Sequence, residues 1–291
     1  WEGRFDDARR TLRVDYALAR RHAEQHTLVE GLVGLSIAAR MNAEMHRWLG
    51  AKDSPNLYWS IASLRPFSDG SEAIRGEQSW LYFSMPGLDF SKSDRFTADD
   101  WKRALISFFR LSALVQDDGA TEAKLNLQLA GLVATQLTAG RAYLKAEGMT
   151  YEQLNQLQPV EIVGRYVFGE FERYLQDMTK WWSLPYPHAA RGLAQVEVEV
   201  SRQKSSGNVN PATLLLPALT RARWTFTRLD RDLAAMQLVE SLRHHAATHD
   251  GKLPEALDDS LALPAPLDPS TGKPFGYQRT DNGFVLTSPA P

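Results

Sequence analysis

The hydrophobic pattern over the first fifty residues predicts two amphipathic helices. Leu12, Tyr16 and Ala19 recur at the three- and four-residue spacing of one helix face, and Leu32 and Leu35 repeat that spacing further along. Charged residues occupy the other face of each segment. The two segments therefore predict an antiparallel helical hairpin.

The same helical pattern continues to His249, with proline and glycine breaks between the segments. Further helices are predicted at about 57–64, 70–84, 97–115, 120–147, 151–157, 159–183, 187–205 and 211–249. Thr97 precedes an acidic first turn and Thr150 pairs with Gln153 as a capping box, so both mark helix starts. Gly251 is expected to end the last helix in the left-handed conformation.

The end of the chain alternates side chains as strands do. Phe275 and Tyr277 point to one side of a first strand, an Asp-Asn-Gly turn follows, and Phe284 and Leu286 point to one side of a return strand. A two-stranded hairpin is marginal alone, so it must lie on an apolar surface. We expect that surface to be the end of the last helix, around 236–245.

These elements predict a mainly α protein, an irregular helical-hairpin (TPR-like) array with a small C-terminal β-hairpin. The predicted division is a helical-hairpin body at 1–205, the long helix with its connection at 206–263, and the β-hairpin module at 264–291. The segment SSGNVNP is the clearest internal linker. No fixed repeat period is visible.

The composition of the chain limits the classes of partner and of chemistry that we expect. The 33 basic and 35 acidic residues are interleaved, which argues against nucleic acid or an anionic membrane surface as a partner. The absence of cysteine excludes disulfides, thiolate metal sites and cysteine nucleophiles. Because the chain begins at Trp1, we expect a trimmed form that has lost a signal peptide or membrane anchor.

Histidine and acidic pairs are the candidates for chemistry, and each has a structural interpretation. His22 and His26 are four residues apart, as metal ligands on a helix can be, but two ligands are insufficient. The cluster His244, His245 and His249 suits the negative end of a helix. The neighbouring pairs Asp99/Asp100 and Asp117/Asp118 suit helix boundaries, and STGKP at 270–274 suits a turn. No catalytic, cofactor-binding or metal-binding residue is therefore predicted.

Clustered aromatic residues are the candidates for binding. Tyr58, Trp59, Trp181 and Trp182 are predicted interaction residues because aromatic side chains dominate protein interfaces and adjacent tryptophans cannot both enter one core. A further cluster comprises Trp80, Tyr82 and Phe83.

Two sets of sequence motifs each resemble a known group of proteins. The succession GKLPEAL, PLDP, GKPFGYQR and GFVLTS resembles the C-terminal end of G-type type II secretion pseudopilins, although Ser270 and Thr271 replace an aromatic residue and the acidic calcium-binding tail is missing. The segments RRHAEQHTLVEGLVGLSIAARM and SPNLYWSIASL resemble exported or membrane-anchored helical proteins of planctomycete-type bacteria. That second resemblance implies an extracytoplasmic location, in the periplasm or cell envelope, and a helical-hairpin fold.

The functional expectation is an extracytoplasmic, non-enzymatic scaffold or protein-interaction subunit, part of a membrane-associated assembly and without a cofactor. One alternative is a hydrolytic enzyme whose carboxylates and histidines meet in the irregular segment 65–96. The other is a small-molecule or glycan binder that uses exposed aromatic residues.

Overall fold

The predicted fold class is confirmed: the protein is mainly α, with 70% of its residues in helices and a small antiparallel β-hairpin at the C-terminus. The computed structural model describes residues 4–85, 87–115, 121–205, 212–257 and 261–289. Asp117, Asp118 and most of the SSGNVNP linker lie outside the described residues, as does the side chain of Trp80. A TPR-like arrangement of the helices stays a prediction.

The helices agree with the predicted segments to within about two residues at most of their ends. They are α1 (Phe5–Ala23), α2 (Leu28–Leu49), α3 (Tyr58–Ala62), α4 (Ser71–Phe83), α5 (Ala98–Val115), α6 (Glu122–Ala146), α7 (Tyr151–Gln156), α8 (Pro159–Trp182), α9 (Tyr186–Ser205) and α10 (Ala212–Thr248). A 3-10 helix at Phe90–Arg95 lies in a stretch for which the sequence pattern predicts only a loop.

Local capping explains why these ends could be predicted. The amide of Asp100 donates to the Thr97 hydroxyl, and the amide of Thr97 donates back to the Asp100 carboxylate over 2.9 Å. Thr150 and Gln153 form the predicted capping box. Gly251 takes φ +79° just beyond α10 and donates its amide to the Ala246 carbonyl, as predicted for a C-terminal cap.

The predicted hairpin of α1 and α2 forms around a close backbone contact. A β-carbon at Gly34 would lie 2.5 Å from the Ala19 carbonyl oxygen and still nearer to the amide nitrogen of Ala23. The two helices therefore meet through small residues, with Ala19 and Ala23 buried on the α1 side.

The C-terminal hairpin docks where the sequence pattern predicts. Strand β1 (Gly276–Thr280) pairs antiparallel with β2 (Gly283–Thr287). Phe275 is buried against Ala234, Leu238 and Leu242 of α10, and the apolar side chains of the hairpin face pack around the same cluster. This burial supplies the support that an isolated two-stranded hairpin lacks.

The chain forms two compact units that are each discontinuous in sequence. The first unit comprises Trp1–Gly76, Trp181–Gly192 and Arg221–Pro291, and the second comprises Glu77–Lys180 and Leu193–Thr220. The unit boundaries fall within α4, α8, α9 and α10. The predicted three-part division at 1–205, 206–263 and 264–291 stays a prediction.

The second unit contains a cluster of aromatic rings around the 3-10 helix. The ring centroid of Phe90 lies 4.7 Å from that of Tyr82, 5.0 Å from that of Phe168 and 5.3 Å from that of Phe96. Trp101 completes the cluster, 5.1 Å from Phe96. These contacts explain how a loop-like sequence becomes ordered.

Over the described part of the chain, the helices are each too short or too polar to cross a membrane.

Candidate functional site

A groove of about 1050 Å³ runs beside α1 in the first unit, and we call it the α1 groove. Its floor is apolar and comprises Leu12, Tyr16, Met45, Trp48 and Leu57. All five of these residues are buried. The floor is therefore formed by the hydrophobic core itself, on which side chains hold fixed positions.

One wall of the α1 groove is cationic. Arg9, Arg10, Arg13, Arg20 and Arg21 line it, against two acidic residues at its ends, Asp6 and Glu24. The α-helical repeat brings these positions to one side of α1, next to the buried stripe of the same helix. The groove therefore joins an apolar floor to a net positive wall.

The arginines differ in how far they are already engaged. Arg9 contacts Asp6 at 3.1 Å and Arg10 contacts Asp7 at 3.9 Å, in pairs whose four side chains are mostly exposed. Such exposed pairs contribute little and exchange readily with other anions. Among the residues that the structure describes, the side chains of Arg13 and Arg21 have no hydrogen-bond or ion-pair partner. Arg13 and Arg21 are thus the cations most available to a ligand.

Arg20 has a structural role instead. Its Nε donates to the Phe67 carbonyl over 3.2 Å, and its Nη2 donates to the Leu64 carbonyl over 2.7 Å. The same guanidinium lies 5.4 Å from the centre of the Phe67 ring. Asp230 accepts the Phe67 amide from the other side over 2.8 Å. Arg20 and Asp230 together hold the segment 64–67, whose first residue, Leu64, lines the α1 groove.

A buried hydrogen-bond chain begins at the groove floor. The Tyr16 hydroxyl donates to Oδ1 of Asn42 over 2.6 Å, and Nδ2 of Asn42 donates to Oδ2 of Asp232 over 2.6 Å. Nε2 of His46 lies 3.0 Å from Oδ1 of the same carboxylate. Burial, with the Asp232 charge, raises the pKa of Tyr16 above its ordinary value. Tyr16 therefore stays neutral and its orientation is fixed.

The His46–Asp232 pair shifts both of its pKa values. The hydrogen bond to Asp232 raises the pKa of His46. Burial alone would raise the pKa of Asp232, but the hydrogen bonds from His46 and Asn42 outweigh it and the pKa is lowered. Both shifts favour the charged forms, so the pair is an ion pair at mildly acidic pH.

A second groove of about 770 Å³ lies in the same unit between α2, α10 and the β-hairpin. Its charged lining comprises Arg228, Arg231 and Asp232. Arg231 lies over the ring of Trp224, and Asp232 is engaged by Asn42 and His46. The charges of this groove are mixed and partly satisfied, in contrast to the cationic wall of the α1 groove.

The structure separates the four predicted interaction residues. Tyr58 and Trp182 are core residues, exposed by only 4% and 1%, and therefore have no surface to offer a partner. Trp182 donates its Nε1 to the Asp69 carbonyl over 2.7 Å. Trp181 is half-buried, and a β-carbon at Gly192 would overlap its indole. Only Trp59 of these four, at 70% exposure, presents a large free aromatic surface.

Trp59 belongs to residues 57–64, which we call the α3 segment; it is adjacent in sequence to Ser60, which lines the α1 groove, but is not itself part of the lining. It lies four residues before Ser63 in the α3 segment, so the two share a face, and Ser63 lines the groove. Its ring packs edge-on against Tyr58 with the centroids 5.0 Å apart. A core residue thus holds the indole on the α3 segment.

The aromatic residues Tyr82 and Phe83 of α4 differ in their burial and contacts. The Tyr82 hydroxyl donates to Glu172 over 2.7 Å, and burial raises its pKa above the ordinary range. Phe83 is 83% exposed.

The candidate metal and catalytic residues are not brought together. Within the described parts of the chain, no group of three His, Asp or Glu side chains is placed to hold a metal ion. α1 ends at Ala23, so His26 lies beyond the helix and does not share a helix face with His22. His245 and His249 stack with their rings 3.9 Å apart, and His249 Nδ1 lies 2.9 Å from the His245 carbonyl oxygen.

The predicted turn at 270–274 is confirmed, and Asp268 organises it. Its Oδ1 accepts the amide and the hydroxyl of Ser270, and its carbonyl accepts the amide of Gly272.

In the segment 65–96, two carboxylates form local hydrogen bonds that stabilise the backbone. The hydrogen bond from Lys92, with a further one from Ser91, lowers the pKa of Asp89 to about 2. Asp69 accepts the Ser71 amide at the start of α4.

No protein-family model matches the chain, and no curated protein or solved structure matches it either.

The groove arginines are the site residues that the sequence interpretation missed. Their signal was present, because Arg9 and Arg13 are four residues apart and Arg20 follows seven residues later on the same side of the helix. A charged helix face is ordinarily solvated, however, and only the packing of α2 and the α3 segment beside it reveals an apolar floor.

Proposed function

We propose that this protein is a non-enzymatic interaction subunit whose α1 groove binds an acidic segment of a partner protein. The observation that carries the proposal is the combination of a buried apolar floor with five arginines along one wall. The extracytoplasmic, membrane-associated setting is part of the proposal and is motivated by the sequence resemblances.

The two surfaces of the groove have different roles in binding. Apolar side chains of a partner would leave water over the less buried apolar lining, Ala17 and Leu64, and over the arginine stems, because the floor residues themselves are almost fully buried. The arginine wall selects for negative charge and speeds association, since like-charged segments are repelled. Arg13 and Arg21 gain partners without losing existing ones. An acidic segment with apolar side chains satisfies both surfaces at once.

The lining of the groove favours binding over catalysis. Of the described residues that line it, none is a histidine, and its acidic members Asp6 and Glu24 stand at opposite ends. General acid–base chemistry needs such groups within hydrogen-bond reach of a shared substrate atom. Exposed Trp59 on the α3 segment adds an aromatic residue of the kind that concentrates binding energy at interfaces.

A direct test measures binding of fluorescein-labelled acidic peptides, each about 20 residues long with interspersed leucines, by fluorescence anisotropy. We expect the double variant Arg13→Glu/Arg21→Glu to weaken binding at least tenfold, because two attractive contacts become repulsive. The matched control is Arg40→Glu/Arg279→Glu, which makes the same change of net charge at exposed sites that do not line the groove.

Affinity reduced equally by both double variants would contradict the proposal, because the effect would then follow net charge alone. Failure of every acidic peptide to bind the unchanged protein would also contradict it. Unfolding curves for all variants show whether a loss of binding reflects a loss of fold.

A further inference from the structure

We infer that the segment received by the α1 groove is an amphipathic α-helix with acidic side chains about two turns apart. This inference rests on the proposed function and specifies the partner for the same site. It follows from the backbone chemistry, the volume and the charge spacing of the groove.

Backbone chemistry favours a helix over an extended chain. The walls of the groove come mainly from α1, α2 and the α3 segment, whose amides and carbonyls are mostly bonded within their helices, and neither described strand borders it. At one end, the Leu64 and Phe67 carbonyls already accept from Arg20. An extended segment would therefore leave its own backbone groups without partners, whereas a helix satisfies them internally.

The volume of the groove suits a helix lying partly sunk in it. A helix with side chains is ~11 Å across, so the groove volume of about 1050 Å³ holds ~22 Å of helix sunk to half its depth. That length corresponds to about four turns. The cationic wall from Arg9 to Arg21 extends ~18 Å along α1, which is a similar length.

Charge spacing sets the positions of the partner's carboxylates. Arg13 and Arg21 are eight residues apart and so ~12 Å apart along the axis of α1. Carboxylates at positions i and i+7 of a partner helix are ~10.5 Å apart, within the reach of flexible arginine side chains. Both arginines can then be engaged by one helix lying along α1.

The apolar floor of the groove determines which residues the partner helix needs between its two carboxylates. Tyr16 and Ala17 line the groove from the stretch of α1 between Arg13 and Arg21, and Met45 lies on the α2 side. Apolar residues at i+3 and i+4 of the partner share a face with acids at i and i+7. The partner's sequence signature is therefore an acid, two apolar residues one turn later, and a second acid after one more turn.

The experiment compares three labelled peptides of identical composition and about 21 residues. The first has glutamates at i and i+7 with leucines at i+3 and i+4. The second has the same residues with the glutamates moved to i and i+2, and the third has its terminal proline moved to the centre to break the helix. Circular dichroism verifies the helical content of each. We expect the first peptide to bind at least tenfold tighter than the other two.

A charge exchange tests the register directly. Replacing one glutamate of the first peptide by lysine should weaken binding to the unchanged protein and restore it for Arg13→Glu or for Arg21→Glu, according to the orientation of the helix. Equal binding of the proline-broken peptide would overturn the helical inference while leaving the acidic-segment function in place. Equal binding of the respaced peptide would overturn the spacing. Binding of no acidic peptide at all would overturn the proposed function itself.

Discussion

The hydroxyl of Tyr58 donates a 2.7 Å hydrogen bond to the carbonyl oxygen of Pro264, 206 residues further along the chain. The same tyrosine is buried and carries the exposed ring of Trp59 against its own. Through this residue the α3 segment, which forms one side of the α1 groove, is attached to the stretch that leads into the β-hairpin.

Replacing Tyr58 by Phe tests this attachment. The change keeps the ring and leaves the Pro264 carbonyl without its donor, so we expect a loss of about 1 kcal/mol in the free energy of unfolding. Urea denaturation measures it. Tyr151→Phe is the control, because Tyr151 is 73% exposed, and its effect should stay within about 0.5 kcal/mol. Equal effects in the two variants would show that the hydrogen bond contributes nothing.

Trp59→Ala should separate binding from stability. With 70% of its surface exposed, Trp59 contributes little to the core, so the free energy of unfolding should change by less than about 0.5 kcal/mol. Affinity for the acidic helical peptide should fall about tenfold, as for an aromatic residue at an interface. Phe83→Ala, which removes an aromatic ring that is 83% exposed in the second unit, should leave affinity unchanged. Unchanged affinity in the Trp59 variant would remove this residue from the binding surface.

Two glycine-to-alanine substitutions should change the free energy of unfolding in opposite directions. Gly34→Ala places a methyl group against the α1 backbone, which cannot move as a side chain can, so we expect a loss of about 3 kcal/mol. The methyl group of Gly131→Ala in α6 would meet no atom of the described residues within 4 Å, so this change should stabilise by about 0.5 to 1 kcal/mol through helix propensity. Thermal unfolding of both variants compares them. A neutral result at Gly34 would mean that α1 and α2 are not packed this closely.

Docking of the hairpin on α10 depends on Phe275. Because Phe275 is 6% exposed and packs on Ala234, Leu238 and Leu242, Phe275→Ala should destabilise the protein by about 3 to 5 kcal/mol. Hydrogen exchange of the backbone amides in β1 and β2 should also become faster in this variant. Val285→Ala, at a side chain that is 48% exposed on the same hairpin, should cost far less. Strand amides that stay protected in the Phe275 variant would contradict the assigned docking.

Stability should depend on pH through His46. Its folded-state pKa is raised above the ordinary value of about 6.5, so its pairing with Asp232 stabilises the protein below that pH and the contribution is lost as pH rises through the raised pKa. Asp232 has a lowered pKa, so its contribution is present above about pH 4 and is lost as pH falls through the lowered value.

His46→Gln isolates the upper of these two transitions. The side chains of His46 and Asp232 are 52% and 40% exposed, so the pair should contribute no more than about 1 kcal/mol. Urea denaturation of the unchanged protein and the variant between pH 5.5 and about 8.5 should show curves that converge with rising pH. Parallel curves over this range would mean that the ion pair does not contribute.

Much of the fold could be predicted because its signals are local. The capping residues Thr97 and Thr150 act within one turn, so their sequence context suffices to locate the starts of α5 and α7. The hairpin could be located from its turn residues and alternation, and its docking site from the need to cover an apolar face. The 3-10 helix could not be predicted, because aromatic contacts of Phe90 with residues as distant as Phe168 order it.

The sequence by itself determined the helices, their ends and the terminal hairpin, since periodicity and capping are properties of neighbouring residues. Only the tertiary structure decided which aromatic residues are free, because the burial of Tyr58 and Trp182 and the exposure of Trp59 depend on segments far away in sequence. The α1 groove has the same origin. Its arginines belong to one helix, but its floor exists only where α2 and the α3 segment pack beside that helix.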